Sequence, residues 1–213
     1  MAAIATWALS MAGCAGTPPP DWALDAQASV DAAVQAHLNA QPRIEQQEFE
    51  RARSALARTG RLDLVARVEL KRCAARVASL EFEACAAFDV MRADATAADR
   101  AYADYLLGEV TPGNVELLPA HHRAVAKTQG ADDTDILTGI DDPLARVVAA
   151  GVLMRTGRAR PEIVAQAIDT ASAQGWRRPL LAWLNVQLRL AEQGGAGEDV
   201  QRVKRRIELV GGR

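Results

Sequence analysis

Apolar positions recur at intervals of three and four residues along most of the chain, which is the spacing of one face of an α-helix. Trp22, Ala26, Val30, Val34 and Leu38 form the first such stripe, behind Asp21 as the expected cap. Pro42 opens a second helix with Ile44, Phe49, Ala52 and Leu56 on its inner side, and Gly60 closes it. A third carries Leu62, Val65, Val68, Cys73 and Val77, and a fourth Phe82, Cys85, Phe88 and Met91. Thr96 caps a fifth, with Ala98, Tyr102, Tyr105 and Leu106 facing inward. Only 4% of residues are aromatic and β-branched runs are missing, which points away from sheet.

The middle is less regular. Thr111-Pro112-Gly113 breaks the chain, a helix is expected from Pro119 to Lys127, and residues 129 to 142 read as a loop or broken helix rich in Asp and Gly. Asp142-Pro143 then pairs a cap with a first-turn proline, and Leu144, Val147, Val148, Gly151 and Val152 line the helix that follows, down to Gly157. Pro161 starts another. Pro179 starts the most apolar helix of the chain, expected to be buried between neighbours, and Gly194-Gly195 ends it. The last helix turns Val200, Val203, Ile207 and Val210 inward and Arg202, Lys204, Arg205 and Arg206 outward.

The segment Leu56-Ala57-Arg58-Thr59-Gly60-Arg61 returns as Leu153-Met154-Arg155-Thr156-Gly157-Arg158, each time between an apolar helix and a second helix with Val-Ala inside. One such unit is an αα-hairpin. The series is similar in outline to tetratricopeptide-like α-solenoids, which implies stacked antiparallel helical hairpins and a protein-binding surface. The pattern predicts an all-α fold, either such a stack or an irregular helical bundle, as a single domain over residues 21–213.

Net charge is −2, so no bulk field selects nucleic acid. No run of 18 apolar residues is present, which excludes a spanning helix. Near the start, Met11-Ala12-Gly13-Cys14 follows the apolar stretch Ala2 to Leu9. Small residues before a cysteine, after an apolar leader, resemble the lipobox of bacterial lipoproteins. The resemblance implies a signal peptide over residues 1–13, lipidation at Cys14, and a proline-rich tether over residues 14–20. Residues 1 to 13 contain no Lys or Arg, where a secretory leader carries positive charge, so the true translation start is expected further upstream. Ala15 after the cysteine resembles proteins sorted to the outer membrane, with the body on the periplasmic face; inner-membrane anchoring is the other option. Three cysteines leave one over in an exported protein, and lipidation of Cys14 accounts for it. Cys73 and Cys85 lie six residues either side of Ser79, the expected turn, so export favours a disulfide between them; the other option is two buried thiols.

No motif for a reaction is present. His121-His122 is the most site-like pair, but neighbours on a helix point about 100° apart and do not chelate one metal. Asp132, Asp133, Asp135, Asp141 and Asp142 follow, without the glutamate that closes a calcium loop. Gly194-Gly195-Ala196-Gly197 lacks the lysine of a phosphate loop. Tyr102, Tyr105, Trp176, Arg177 and Arg178 are the candidate partner surface. No cofactor or metal ligand set is expected. The resulting expectation is a non-enzymatic adaptor or assembly factor with a protein partner in the envelope. The alternative is a periplasmic cell-wall-acting enzyme with its site near His121, His122 and the acidic loop.

Overall fold

Proline at positions 42, 143 and 161 presets the first helical turn, and each begins a helix in the computed structural model, which describes residues 19–128 and 134–212. In chain order the helices are α1 (Asp21–Leu38), α2 (Pro42–Ala57), α3 (Leu62–Ala78), α4 (Ala86–Asp89) and α5 (Ala97–Leu107). A 3₁₀ turn (Pro112–Leu117) leads to α6 (Ala120–Lys127), α7 (Thr134–Thr138), α8 (Pro143–Arg155), α9 (Pro161–Ala173), α10 (Arg177–Gln193) and α11 (Gly197–Gly211). Every regular element among the described residues is helical, so the fold is all-α.

One local device ends most of these helices. A residue at positive φ follows the last turn, and the next amide reaches back to a carbonyl five residues earlier. Gly108, Gly157, Gly175 and Gly195 supply the positive φ after α5, α8, α9 and α10, with amides of Glu109, Arg158, Trp176 and Ala196 closing the motif. Ala40 (φ 58°) and Leu80 (φ 59°) do the same after α1 and α3 without being glycine.

The helices pack around α3 and α8. α3 touches α1, α2, α4, α5 and α8; α8 touches α3, α5, α6, α7 and α9. The two cross at Gly151, where a Cβ would lie 2.3 Å from the Val77 carbonyl oxygen. α8 is built of small side chains, and Val147, Val148, Ala149, Ala150, Val152 and Leu153 are all buried. α10 packs on α9 and α11 and returns to α1. The Trp183 indole donates to the Ala78 carbonyl (3.0 Å) and Arg178 Nε to the His37 carbonyl (2.8 Å), so α10 side chains bind carbonyls at the ends of α3 and α1.

Several local expectations are corrected. Asp21 is the first residue of α1 rather than its cap, a place held by Pro20. Ile44 is 47% exposed and Glu45 is buried instead; Ala98 is exposed and Asp99 is buried, held by Arg67 at 3.1 and 3.2 Å. Phe82 and Cys85 precede α4, because the turn at Leu80 and the link to Cys73 hold this stretch out of the helix. α10 is not buried on all sides: it begins at Arg177, and Leu190 is exposed. The fully enclosed helix is α8, whose Ala, Val and Gly let five neighbours approach.

Candidate functional site

The turn at residues 39 to 41 sets α1 antiparallel to α2, so the last turn of one faces the first turn of the other. His37 Nδ1 thereby lies 3.2 Å from Glu45 Oε1. On the other side of the ring, His37 Nε2 is 3.2 Å from Ser79 Oγ, at the end of α3. Arg72 Nε and Arg178 Nη2 stand 3.8 Å from the Glu45 carboxylate, and Arg178 Nη1 donates to Glu81 Oε1 at 3.0 Å. Burial alone would raise the Glu45 pKa; the His37 contact, with Arg178 and Arg72, outweighs it and holds the carboxyl below its ordinary value. His37, Glu45 and Ser79 are all buried.

Serine, histidine and glutamate in that order are the parts of a nucleophile relay. Here they do not work as one. Ser79 Oγ donates to the Ala75 carbonyl (3.2 Å), which draws the hydroxyl proton away from His37 Nε2 at the same distance. The amides that would hold an oxyanion are used: Leu80 N–H gives to Val77 and Glu81 N–H to Arg76. At 4% exposure Ser79 also has no room for a substrate carbonyl beside it. The cluster is a joint that ties α1, α2, α3 and α10 together. Sequence reasoning missed it, although His37 and Glu45 sit four residues either side of Gln41, the spacing that faces them across a hairpin.

A second cluster joins α5 to α6. The Tyr102 and Tyr105 rings lie 5.4 and 4.8 Å from that of His122, and the Tyr102 hydroxyl is 3.5 Å from His122 Nε2. His122 is buried, and burial, with a smaller contribution from His121, lowers its pKa to about 3. It is therefore neutral at physiological pH and packs as an aromatic ring. Burial also pushes the Tyr102 and Tyr105 phenols well above their ordinary value. His121 is exposed, its ring edge-on to His122 at 4.4 Å. Asp142 caps α8, accepting from the Ala145 amide at 2.6 Å; Asp135 lies in α7 and Asp141 is exposed; Asp132 and Asp133 lie outside the described residues. Among the described residues no three His, Cys, Asp or Glu side chains converge as metal ligands.

The expected partner surface is largely internal. Tyr105 (1% exposed) and Trp176 (5%) are core residues, and Tyr102 is half-buried. Trp176 precedes α10 with its amide bound to the Ala171 carbonyl, a turn at which its ring is buried. Arg178 belongs to the Glu45 joint. Arg177 alone of the five is exposed, and it donates to the Gly211 carbonyl at 2.7 Å. Cys73 and Cys85 stand at disulfide distance, 2.10 Å between sulfurs and 5.9 Å between Cα atoms. Cys14 and the run before it lie outside the described residues.

Two of the open cavities among the described residues bear on ligand binding. One, of about 220 Å³, lies between α1 and α3 and is lined mainly by apolar side chains from Trp22 to Val68. The other, of about 290 Å³, is lined by Tyr105, Val125, Val152 and Arg158. No protein-family model, curated protein or solved structure matches this chain.

Proposed function

We propose that this chain is a lipid-anchored envelope protein. Cys14 is acylated, the helical body sits at the periplasmic face of the outer membrane, and it binds a protein partner without catalysing a reaction. The carrying observation is the distribution of thiols. Cys73 and Cys85 are paired at 2.10 Å, and the remaining cysteine stands directly behind Met11-Ala12-Gly13. A paired cysteine couple fits an oxidising compartment, and acylation uses the thiol left over. No described helix is long and apolar enough to cross a membrane, which leaves the acyl chains as the attachment this reading needs.

Partner binding belongs to the outer face of the terminal hairpin. α11 packs on α10, while Leu190 (38%) and Leu209 (80%) stay exposed beside Arg202, Lys204 and Arg205. Exposed leucines flanked by cations on a helix surface suit an acidic, partly apolar partner segment. The rival reading, a cell-wall-acting enzyme with its site near His121, His122 and the acidic loop, asks for a cleft with two acids or a nucleophile and base, and His122 is instead buried against the Tyr102 and Tyr105 rings.

Envelope fractionation tests the anchor. The natural chain is expected in the outer-membrane fraction and Cys14→Ala in the soluble fraction. Retention of Cys14→Ala in the membrane contradicts the proposal.

A further inference from the structure

The groove between α1 and α3 has a floor of small and apolar side chains. Ala26, Val30 and Val68 are buried there, with Ala23 beside them and Trp22 at the mouth. Of the charged groups at its rim, Arg67 is engaged and Lys71 makes only long contacts. Arg67 holds Asp99 through two hydrogen bonds, and Lys71 lies 3.5 Å from the Gln27 amide oxygen and 4.0 Å from Asp31. A ligand here meets hydrocarbon along the floor, with the half-exposed Lys71 ammonium at the rim. At about 220 Å³ the space is below the usual range of small-molecule pockets and far too narrow for a helix, which is about 10 Å across. One stretch of a single hydrocarbon chain suits it.

Cys14 stands eight residues before Trp22. Eight extended residues reach at most about 28 Å, and a proline-stiffened stretch about 25 Å. The groove follows α1 from Trp22 to Val30, about 12 Å at the helical rise. A chain attached at Cys14 therefore has the reach to enter it. We infer that the α1–α3 groove seats one acyl chain carried by Cys14, sheltering it from water whenever the protein is off the bilayer. This rests on the lipoprotein reading. A neutral acyl ester tests the apolar floor alone, because the carboxylate of a free fatty acid would also pair with Lys71 at the rim.

The test uses the full chain and methyl cis-parinarate, a neutral fluorescent acyl ester. Cys14→Ala protein is expected to bind one equivalent saturably. Adding Ala23→Trp, which fills the groove from a half-buried position, should weaken binding at least tenfold; adding Leu24→Ala, at an exposed position not lining the groove, should leave it unchanged. Acylated protein should bind at least tenfold less probe than the Cys14→Ala form, because its own chain holds the seat. Absence of saturable binding, binding indifferent to Ala23→Trp, or equal binding by the acylated protein overturns the inference. So does light scattering that shows Ala23→Trp splitting a dimer, which would give the groove to a second copy. Mass spectrometry separates the two readings: an unmodified Cys14 ends both, whereas an acylated Cys14 with no probe binding to the Cys14→Ala chain ends this one alone.

Discussion

At His122, burial and protonation oppose each other. The ordinary histidine value is 6.5 and the folded one about 3. Between these values the unfolded chain binds a proton that the folded chain refuses, so stability is full above pH 6.5 and falls as pH drops toward 3. At pH 5 the loss is about 2 kcal/mol. Urea unfolding at pH 7 and pH 5 checks this: His122→Phe keeps a ring in the stack and should remove most of the difference. Glu45 adds to the acid sensitivity lower down. Its lowered pKa contributes stability that is present above the ordinary 4.5 and is lost as pH falls through the folded value. Backbone strain is the other residue-scale feature. Ala40 occupies a left-handed conformation that glycine adopts freely. Ala40→Gly should therefore raise stability by about 0.5–1 kcal/mol in the same assay. Glycines at 60 and 157 made their turns legible in the sequence. Ala40 and Leu80 make the same turn without glycine; Pro42 and the placing of Cys73 and Cys85 about Ser79 marked those turns instead, but the delayed start of α4 after Leu80 was not legible.

At the scale of elements, the crossing of α3 and α8 sets the geometry of the core. Gly151→Ala would drive a Cβ into the Val77 carbonyl, a backbone atom that cannot move aside without shifting a helix. A loss of about 3 kcal/mol is expected. Gly157→Ala meets nothing within 4 Å and is strained only by its φ of 70°, so about 1 kcal/mol is expected there. Thermal melts of the two variants distinguish a packing glycine from a turn glycine. The Cys73–Cys85 bond closes a separation of 12 residues, and its reduction should cost about 2–3 kcal/mol. Periodicity located α1, α2, α3, α8 and α9 well because each has one dense apolar side and a proline or glycine at an end. It misjudged α10 against α8, since counting large apolar residues favours the former, whereas enclosure by five helices needs the small ones of the latter.

At the scale of the whole molecule, α10 clasps the ends of helices 97 to 141 positions earlier in the chain. Arg178 reaches the His37 carbonyl and Glu81, and Trp183 the Ala78 carbonyl. Arg178→Ala leaves Glu45 with fewer cations in a buried place, and a cost of about 3 kcal/mol is expected. Hydrogen exchange should show α11, which packs mainly on α10, losing protection before α8; uniform loss throughout would contradict this order. This closure was not legible in the sequence. His37 and Glu45 are related by a hairpin, but Ser79 and Arg178 join them only through tertiary packing, and no local spacing encodes that. The same packing took Tyr105 and Trp176 into the core. What the sequence does carry is the Met11-Ala12-Gly13-Cys14 run, on which compartment, anchor and groove occupant all turn. Intact-mass and peptide mass spectrometry of the protein from its native envelope is the most direct measurement. The expected result is a chain that begins at Cys14, bears fatty acyl groups on that residue, and keeps Cys73 and Cys85 bonded. A chain that retains residues 1 to 13 and carries no acyl group contradicts the account.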